Sequence, residues 1–477
     1  MSGSECHPSR ICQKAGPSSP GSDYTNRVIH FRGLEANLAH ARVQQQRGLP
    51  GARLLGRKDS HRQSPADQPS PVLAMNCPSC GEAASTEFFT IPAVPVTCAS
   101  VFATADEAGT LPSGRIELAH CAHCGFVYNR VFEPRLGEIG AQYESSQAAS
   151  AHFGTFARSL AQDWVTRYRL TGKTVLEVGC GGGDFLRQLV ECGVGKVIGI
   201  DPLANSTGKA LAPGVELIAR SFDATQLDLA ADALVCRHTL EHIQDVRGFL
   251  LLVRRWAEAD PRRVVLFEIP DAERVFVERA FWDIYYEHCN YFTEQTAKSA
   301  FVLAGLEVTR AARVYDDQYL IVEGRARSQA DLTRTLPRQP DLLTRYREFA
   351  DDVRVAIDAC QTALRHLRQR QRPLILWQGA AKTVGFMSAL RDQTVIDGAI
   401  DLSPQRQGKY LPGSGLPVYA PEELRRLAPK FVVLMNPVYL GEVRAQIAAL
   451  RLEITVYPIN ALLKPSFVAG LETGSDS

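Results

Sequence analysis

The chain reads as an α/β protein in which a small metal-binding module precedes two Rossmann-like units. Three observations predict this. Strand-length apolar runs alternate with helical stretches from about residue 145 to 325 and again after Pro373, the pattern of parallel, doubly wound sheets. Two Cys-x-x-Cys pairs, Cys77/Cys80 and Cys121/Cys124, stand ahead of the first unit. The run Val175-Leu-Glu-Val enters Gly179-Cys-Gly-Gly-Gly-Asp directly, a strand-to-helix turn that lets bare backbone approach a nucleotide-type ligand.

Taken in order, residues 1–74 are rich in Ser, Pro, Gln, Arg and Gly without sustained periodicity, and read as a disordered extension. Met75 opens MNCPSCG as a natural start would, so the start at Met1 reads as misassigned. Residues 75–140 hold the paired cysteines among short apolar runs and prolines, as in a β-rich metal module. Residues 141–330 supply candidate strands at Thr174–Val178, Val197–Ile200, Glu216–Ala219, Ala233–Cys236 and Val264–Ile269, with a late pair near Val308–Val314 and Tyr319–Glu323. Within the connecting region 331–372, apolar residues from Leu342 to Leu367 recur at steps of three and four, so Asp341–Leu367 is one long amphipathic helix. Residues 373–477 repeat the α/β pattern with strands Leu374–Trp377, Gly398–Asp401 and Phe431–Met435. There the loop Gln378-Gly-Ala-Ala-Lys382 is either a phosphate cradle or a plain strand-to-helix turn.

Composition narrows the function classes. Lys and Arg number 53 against 52 acids, a net charge of +1, which gives no electrostatic reason to expect nucleic acid or an anionic membrane. The sequence has neither a run of about 20 apolar residues nor an apolar signal core, which points to a cytoplasmic protein acting on a small molecule, as monomer or homodimer. Twelve cysteines in such a chain read as reduced thiols plus a metal site.

The glycine loop misfits a dinucleotide: G-x-G-x-x-G requires glycine where Asp184 stands. Carboxylates at Glu177 and Asp184 would repel a pyrophosphate but favour the ammonium and sulfonium of S-adenosylmethionine. The spacing Glu177, Gly179, Gly181, Gly183 resembles the first motif of class I methyltransferases. Asp201 ends the next strand, where ribose hydroxyls would lie, and Asp223 follows the third, placed to accept the adenine amine. After the fourth strand comes RHTLEHI, in which His238 and Glu241 are candidates to touch cofactor or substrate.

Cys77, Cys80, Cys121 and Cys124 form two knuckles, each followed by glycine, as a structural four-thiolate zinc site requires. His120 and His123 flank the second knuckle, but four thiolates already complete the site. The segment WDIYYEHCNYF places Tyr285, Glu287 and His288 together after the fifth strand. Here His288 is a candidate general base, with Glu287 to orient it or to bind a substrate hydroxyl.

With these residues assembled, the chain from about 75 to 465 resembles the three-domain C-methyltransferases that act on nucleotide-linked 4-keto-deoxysugars. The resemblance rests on the ordered set CPSCG, AHCAHCGFVYN, YESSQAASAHF, VLEVGCGGGDFL, RHTLEHI, YYEHCNYFT, QGKYLPG and PEEL. It implies a zinc-binding first domain, an S-adenosylmethionine-binding middle domain and a substrate-binding third domain, with substrate between the last two. It also implies that Tyr285, Glu287 and His288 form the active site with His288 as base, and that Tyr143 is a further substrate partner. Other readings stay open: an O- or N-methyltransferase of another small metabolite, a noncatalytic scaffold, or an NAD-dependent oxidoreductase, the last disfavoured by the missing G-x-G-x-x-G.

Overall fold

A computed structural model describes residues 76–136, 146–204, 213–327, 342–464, 466–467 and 469–470. The segment 1–74 and Tyr143 lie outside the described residues. The first sheet is antiparallel and begins with β1 (Ser85–Pro95), β2 (Ser113–Cys121) and β3 (Val127–Asn129). The cysteine knuckles are tight turns beside it. Gly81 and Gly125 take φ of 86° and 78° and return their N–H groups to the carbonyls of Cys77 (2.8 Å) and Cys121 (2.9 Å), a conformation that glycine adopts without a Cβ penalty.

The second sheet contains β4 (Thr174–Val178), β5 (Lys196–Ile200), β6 (Val215–Ile218), β7 (Ala233–Arg237) and β8 (Val264–Pro270). A short strand β9 (Asn290–Tyr291) then leaves to pair with β3, and β10 (Leu306–Val314) and β11 (Tyr319–Ala326) return to the second sheet. The strand order is β10-β11-β8-β7-β4-β5-β6. Strands β4, β7 and β8 are buried on both faces, as a covered parallel sheet requires.

One strand, β11 of the late pair, departs from the parallel arrangement. Only residues 315–318 separate β10 from β11, too few for a crossover, so the pair closes as a hairpin and β11 runs antiparallel to both β8 and β10. Tyr315, Asp316 and Asp317 turn that corner with positive φ. The sheet order reverses at β4, which has β7 on one side and β5 on the other, so the loops after β4 and β7 part there and open a crevice at the strand ends.

The third sheet is parallel throughout: β12 (Ile375–Trp377), β13 (Gly398–Ile400), β14 (Val418–Tyr419), β15 (Phe431–Leu434) and β16 (Thr455–Pro458), in the order β14-β13-β12-β15-β16. Before it runs the helix Leu342–Arg370, which buries Tyr346, Phe349, Val353, Cys360, Leu364 and Leu367. This face packs against the first sheet, with Tyr346 stacked on Phe88 (5.1 Å) and Phe349 edge-on to Phe89 (5.6 Å). The helix therefore braces the first sheet as well as leading into the third. Among the described residues no helix is long and apolar enough to cross a membrane.

Candidate active site

The crevice beyond β4 and β7 widens into a cavity of about 920 Å³, lined by residues of all three units. Its floor is the loop after β4. Gly179 (φ 76°) has no room for a Cβ, which would run into the Thr239 side chain. Gly181 (φ 49°) donates its N–H to Asp201 Oδ2 (3.0 Å), and Gly183 (φ 76°) starts the helix Asp184–Glu191. Asp201, just past β5, accepts a second N–H from Leu203 (2.7 Å). Burial raises its pKa, and these two bonds oppose the rise.

Glu177 on β4 is only 2% exposed, and its Oε2 has no hydrogen-bond partner among the described residues. Burial pushes its carboxyl up to about 8; Arg237 opposes this, while Asp201 and Glu268 add to it. A neutral acid here would ionise if a cation came beside it. Asp223 caps a turn at Ala224–Gln226, its Oδ1 accepting from Thr225 N (2.7 Å) and Oγ1 (2.6 Å) at the cavity wall.

His238 follows β7 with φ of 46°, an uncommon conformation fixed by Glu268. The His238 N–H donates to the Glu268 carbonyl (3.0 Å), and Nε2 lies 2.9 Å from Glu268 Oε1. Burial would raise the Glu268 carboxyl, but Arg237 (2.5 Å) and His238 override it and hold it at about 2. That carboxylate can only accept, so His238 Nε2 carries the proton. His238 lines the cavity with one nitrogen already engaged.

The segment Trp282–Phe292 crosses the far wall and joins all three units. Asp283 pairs with Arg274 and with Lys382 of the third unit, and β9 extends the first sheet. Tyr285, Glu287 and His288 all reach the cavity lining, but not as a cluster of three. The Glu287 carboxylate turns to the first unit, accepting from Thr97 Oγ1 (2.9 Å), Cys98 N (2.8 Å) and the Cys98 thiol. The expectation that it orients His288 is thereby corrected. Its backbone carbonyl instead receives His242 Nδ1 (2.9 Å).

The His288 ring packs between Tyr285 (4.3 Å) and His242 (4.8 Å, edge-on). Burial drives its pKa well below the usual histidine range, with His242, His238 and Lys382 adding to the shift, so the ring is neutral at pH 7. Burial also lowers His242 to about 4. Glu241, 2% exposed, is pushed up by burial to about 7 against the pull of His238. One donor atom each from Glu241, His242 and His288 fall within 4.8 Å of one another. His242 is the residue that sequence reasoning missed, although it stands four places after His238 in the same motif.

Away from the cavity, the four knuckle sulfurs converge. Cys77 and Cys124 Sγ are 3.6 Å apart, as are Cys80 and Cys121, and all four lie within 4.8 Å. His120 is buried against Tyr346 (5.2 Å) and is no member of the cluster.

Residues 153–311 match the family described as "Methyltransferase domain", and residues 336–456 match "C-methyltransferase C-terminal domain". The chain is an S-adenosylmethionine-dependent methyltransferase. The methyltransferase is 25% identical over 374 residues to the C-methyltransferase NovU of Streptomyces niveus, covering 71% of this chain and 84% of that one. It is 39% identical over 86 residues to the ubiquinone biosynthesis O-methyltransferase of Cronobacter sakazakii, covering 17% of this chain and 35% of the relative. Among solved structures, the magnesium protoporphyrin IX methyltransferase of Synechocystis PCC 6803 with bound SAH aligns at a TM-score of 0.30 and 18% identity, over 39% of this chain and 89% of that one.

Proposed function

We propose that the methyltransferase places a methyl group on carbon next to a ketone, at C3 of a nucleotide-linked 4-keto-deoxysugar, with His288 as the base. The observation that carries this reading is a neutral, half-buried imidazole opening onto the same cavity as the glycine loop, its ring centre 4.3 Å from that of a phenol. Methyl transfer to a hydroxyl or amine has less need of such a base, because those atoms already hold a nucleophilic lone pair.

The residues fit the methyl donor. Glu177 has one carboxyl oxygen, Oε2, without a hydrogen-bond partner among the described residues, a nearby ammonium would ionise the group, and the loop carries no basic side chain for a phosphate. Gly179, Gly181 and Gly183 would leave backbone open to it, Asp201 would accept the ribose hydroxyls, and Asp223 the adenine amine, with His238 at the wall between donor and substrate. S-Adenosylmethionine, when bound, supplies the electrophilic methyl that the substrate carbon accepts.

The protein's own part is proton removal. The 4-keto group acidifies the C3 hydrogen; the His288 lone pair takes that proton, and the C–H electron pair moves into an enolate. Burial keeps Tyr285 protonated at working pH, so its hydroxyl can donate to the enolate oxygen. Glu241, close to both histidines, stabilises the imidazolium that forms. Tyr143 is proposed as a further substrate partner.

The four thiolates fit a structural zinc. Two opposite sulfur–sulfur edges are 3.6 Å, near the ~3.8 Å edge of a tetrahedron built on ~2.3 Å zinc–thiolate bonds, and all four sulfurs lie within 4.8 Å of one another. Residues 75–140 are then the zinc-binding domain, 141–330 the donor-binding domain and 373–477 the substrate-binding domain.

The test is carbon NMR of the product formed with methyl-¹³C donor and a panel of nucleotide-linked 4-keto sugars. A label bonded to C3 is expected. A label on oxygen or nitrogen overturns the reading.

A further inference from the structure

Glu241 and His242 lie on the turn Leu240–His242 after β7, and His288 stands just before β9. These two stretches are tied together independently of the three side chains: Asn290 Nδ2 donates to the Ile243 carbonyl (2.7 Å), and the Cys289 thiol to the Glu241 carbonyl (3.6 Å). The side chains are thus brought together on a fixed frame, with one carboxylate oxygen and two imidazole nitrogens within 4.8 Å.

Two features give this cluster the character of a ligand set. The Glu287 carbonyl can only accept, so the 2.9 Å contact fixes the proton of His242 on Nδ1 and leaves the Nε2 lone pair free to bind. Metal-ligating imidazoles are held in this way, the second nitrogen anchored on a carbonyl. Glu241 Oε2 is buried without a hydrogen-bond partner among the described residues, a costly state that a cation would relieve.

We propose that Glu241, His242 and His288 form a site for one divalent first-row transition cation, separate from the four-thiolate cluster. Two imidazoles and a carboxylate suit Zn²⁺, Co²⁺ or Fe²⁺ rather than Mg²⁺ or Ca²⁺. Bonds of about 2.0–2.2 Å would set the donor atoms roughly 3–3.5 Å apart, which side-chain rotation from the present spacing achieves. Cation binding occupies the His288 lone pair and so inhibits proton removal. That consequence rests on His288 being the base; the binding itself does not.

The test titrates Co²⁺ into the full chain as purified, followed by calorimetry and visible absorption. One equivalent with the weak bands of nitrogen- and oxygen-ligated Co²⁺ is expected, free of the intense thiolate charge transfer that the cysteine cluster would give. Glu241→Gln and His288→Asn should each weaken binding at least tenfold. Retained thiolate-cluster metal and an unchanged melting profile would certify that each variant folds. No such equivalent in the wild type, or equal binding in wild type and a folded variant, overturns the site. In a separate arm, Co²⁺ should slow hydrogen exchange at the substrate carbon. Tight binding with undiminished exchange supports the site and refutes His288 as base.

Discussion

The loops after β4 and β12 share a topology yet are equipped differently. Each joins a central parallel strand to a helix, and each has an acid just past the adjacent strand, Asp201 after β5 and Asp401 after β13. At the first, glycines carry the positive φ values, Asp201 is held by backbone N–H groups, and Glu177 Oε2 has no hydrogen-bond partner among the described residues. At the second, Asp401 accepts from Ser403 N (2.8 Å) and Arg406 Nη1 (3.3 Å), the Thr383 hydroxyl bonds the Gln378 carbonyl, and Lys382 is pinned to Asp283. Topology opens a crevice at both places, but the first keeps a carboxyl oxygen, Glu177 Oε2, without a hydrogen-bond partner among the described residues. Of the two readings that the sequence left for the second loop, the ion pair favours a plain turn that fastens the third unit to the Trp282–Phe292 segment.

The largest effect should come where the first crevice meets that segment. His288→Asn is expected to lower turnover by about 10² to 10⁴-fold, the usual weight of a general base, with donor affinity nearly unchanged by calorimetry. Next is the fastening itself. Lys382→Met leaves Asp283 buried with Arg274 alone, so thermal or denaturant unfolding should show a loss of about 3 kcal/mol, at the low end for a broken buried pair because one partner remains. An unchanged midpoint would mean that the third unit is held mainly by apolar packing.

The sharpest separation of the two loops is a pair of variants. Asp201→Ala should weaken S-adenosylmethionine binding by about 3 kcal/mol, two ribose bonds at the ~1.5 kcal/mol low end for a charged acceptor, whereas Asp401→Ala should leave it unchanged. Equal losses would erase the distinction. The smallest effect, at pH 6, concerns Glu177. Its folded pKa of about 8 exceeds the reference 4.5, so its contribution to stability is complete below 4.5 and is lost as pH rises through 8. Glu177→Gln lacks that loss. Without donor, the variant should exceed wild type by about 2 kcal/mol at pH 6, some 1.5 units above the unfolded value at ~1.4 kcal/mol per unit, and the gap should widen up to pH 8. A gap that is flat with pH would place the carboxyl in water.

Local features were legible in the sequence because they are written in neighbouring residues. Strand β4 and the helix Leu342–Arg370 stand within a few residues of where periodicity put them, and the glycine after each knuckle takes the positive φ that its turn requires. Long-range pairings were not legible. Nothing local shows that Asn290–Tyr291 would extend the first sheet, or that Glu287 would find Cys98, 189 residues away. The reactive segment looked like a compact triad because its residues are adjacent in the chain. Folding turns Glu287 toward the first unit and substitutes His242 from a different loop beside His288. The antiparallel β11 was implicit in the short spacing before it, which forbids a crossover.

Hydrogen exchange at the substrate carbon isolates proton removal from methyl transfer. A nucleotide-linked 4-keto sugar is incubated in heavy water with the protein and S-adenosylhomocysteine, which has no methyl to give, and the C3 hydrogen is followed by NMR. Wild type should exchange it for deuterium, and His288→Asn should do so at least a hundredfold more slowly, in line with the ~10² lower bound for a general base. Exchange at the wild-type rate in the folded variant would contradict the assignment of His288 as the base.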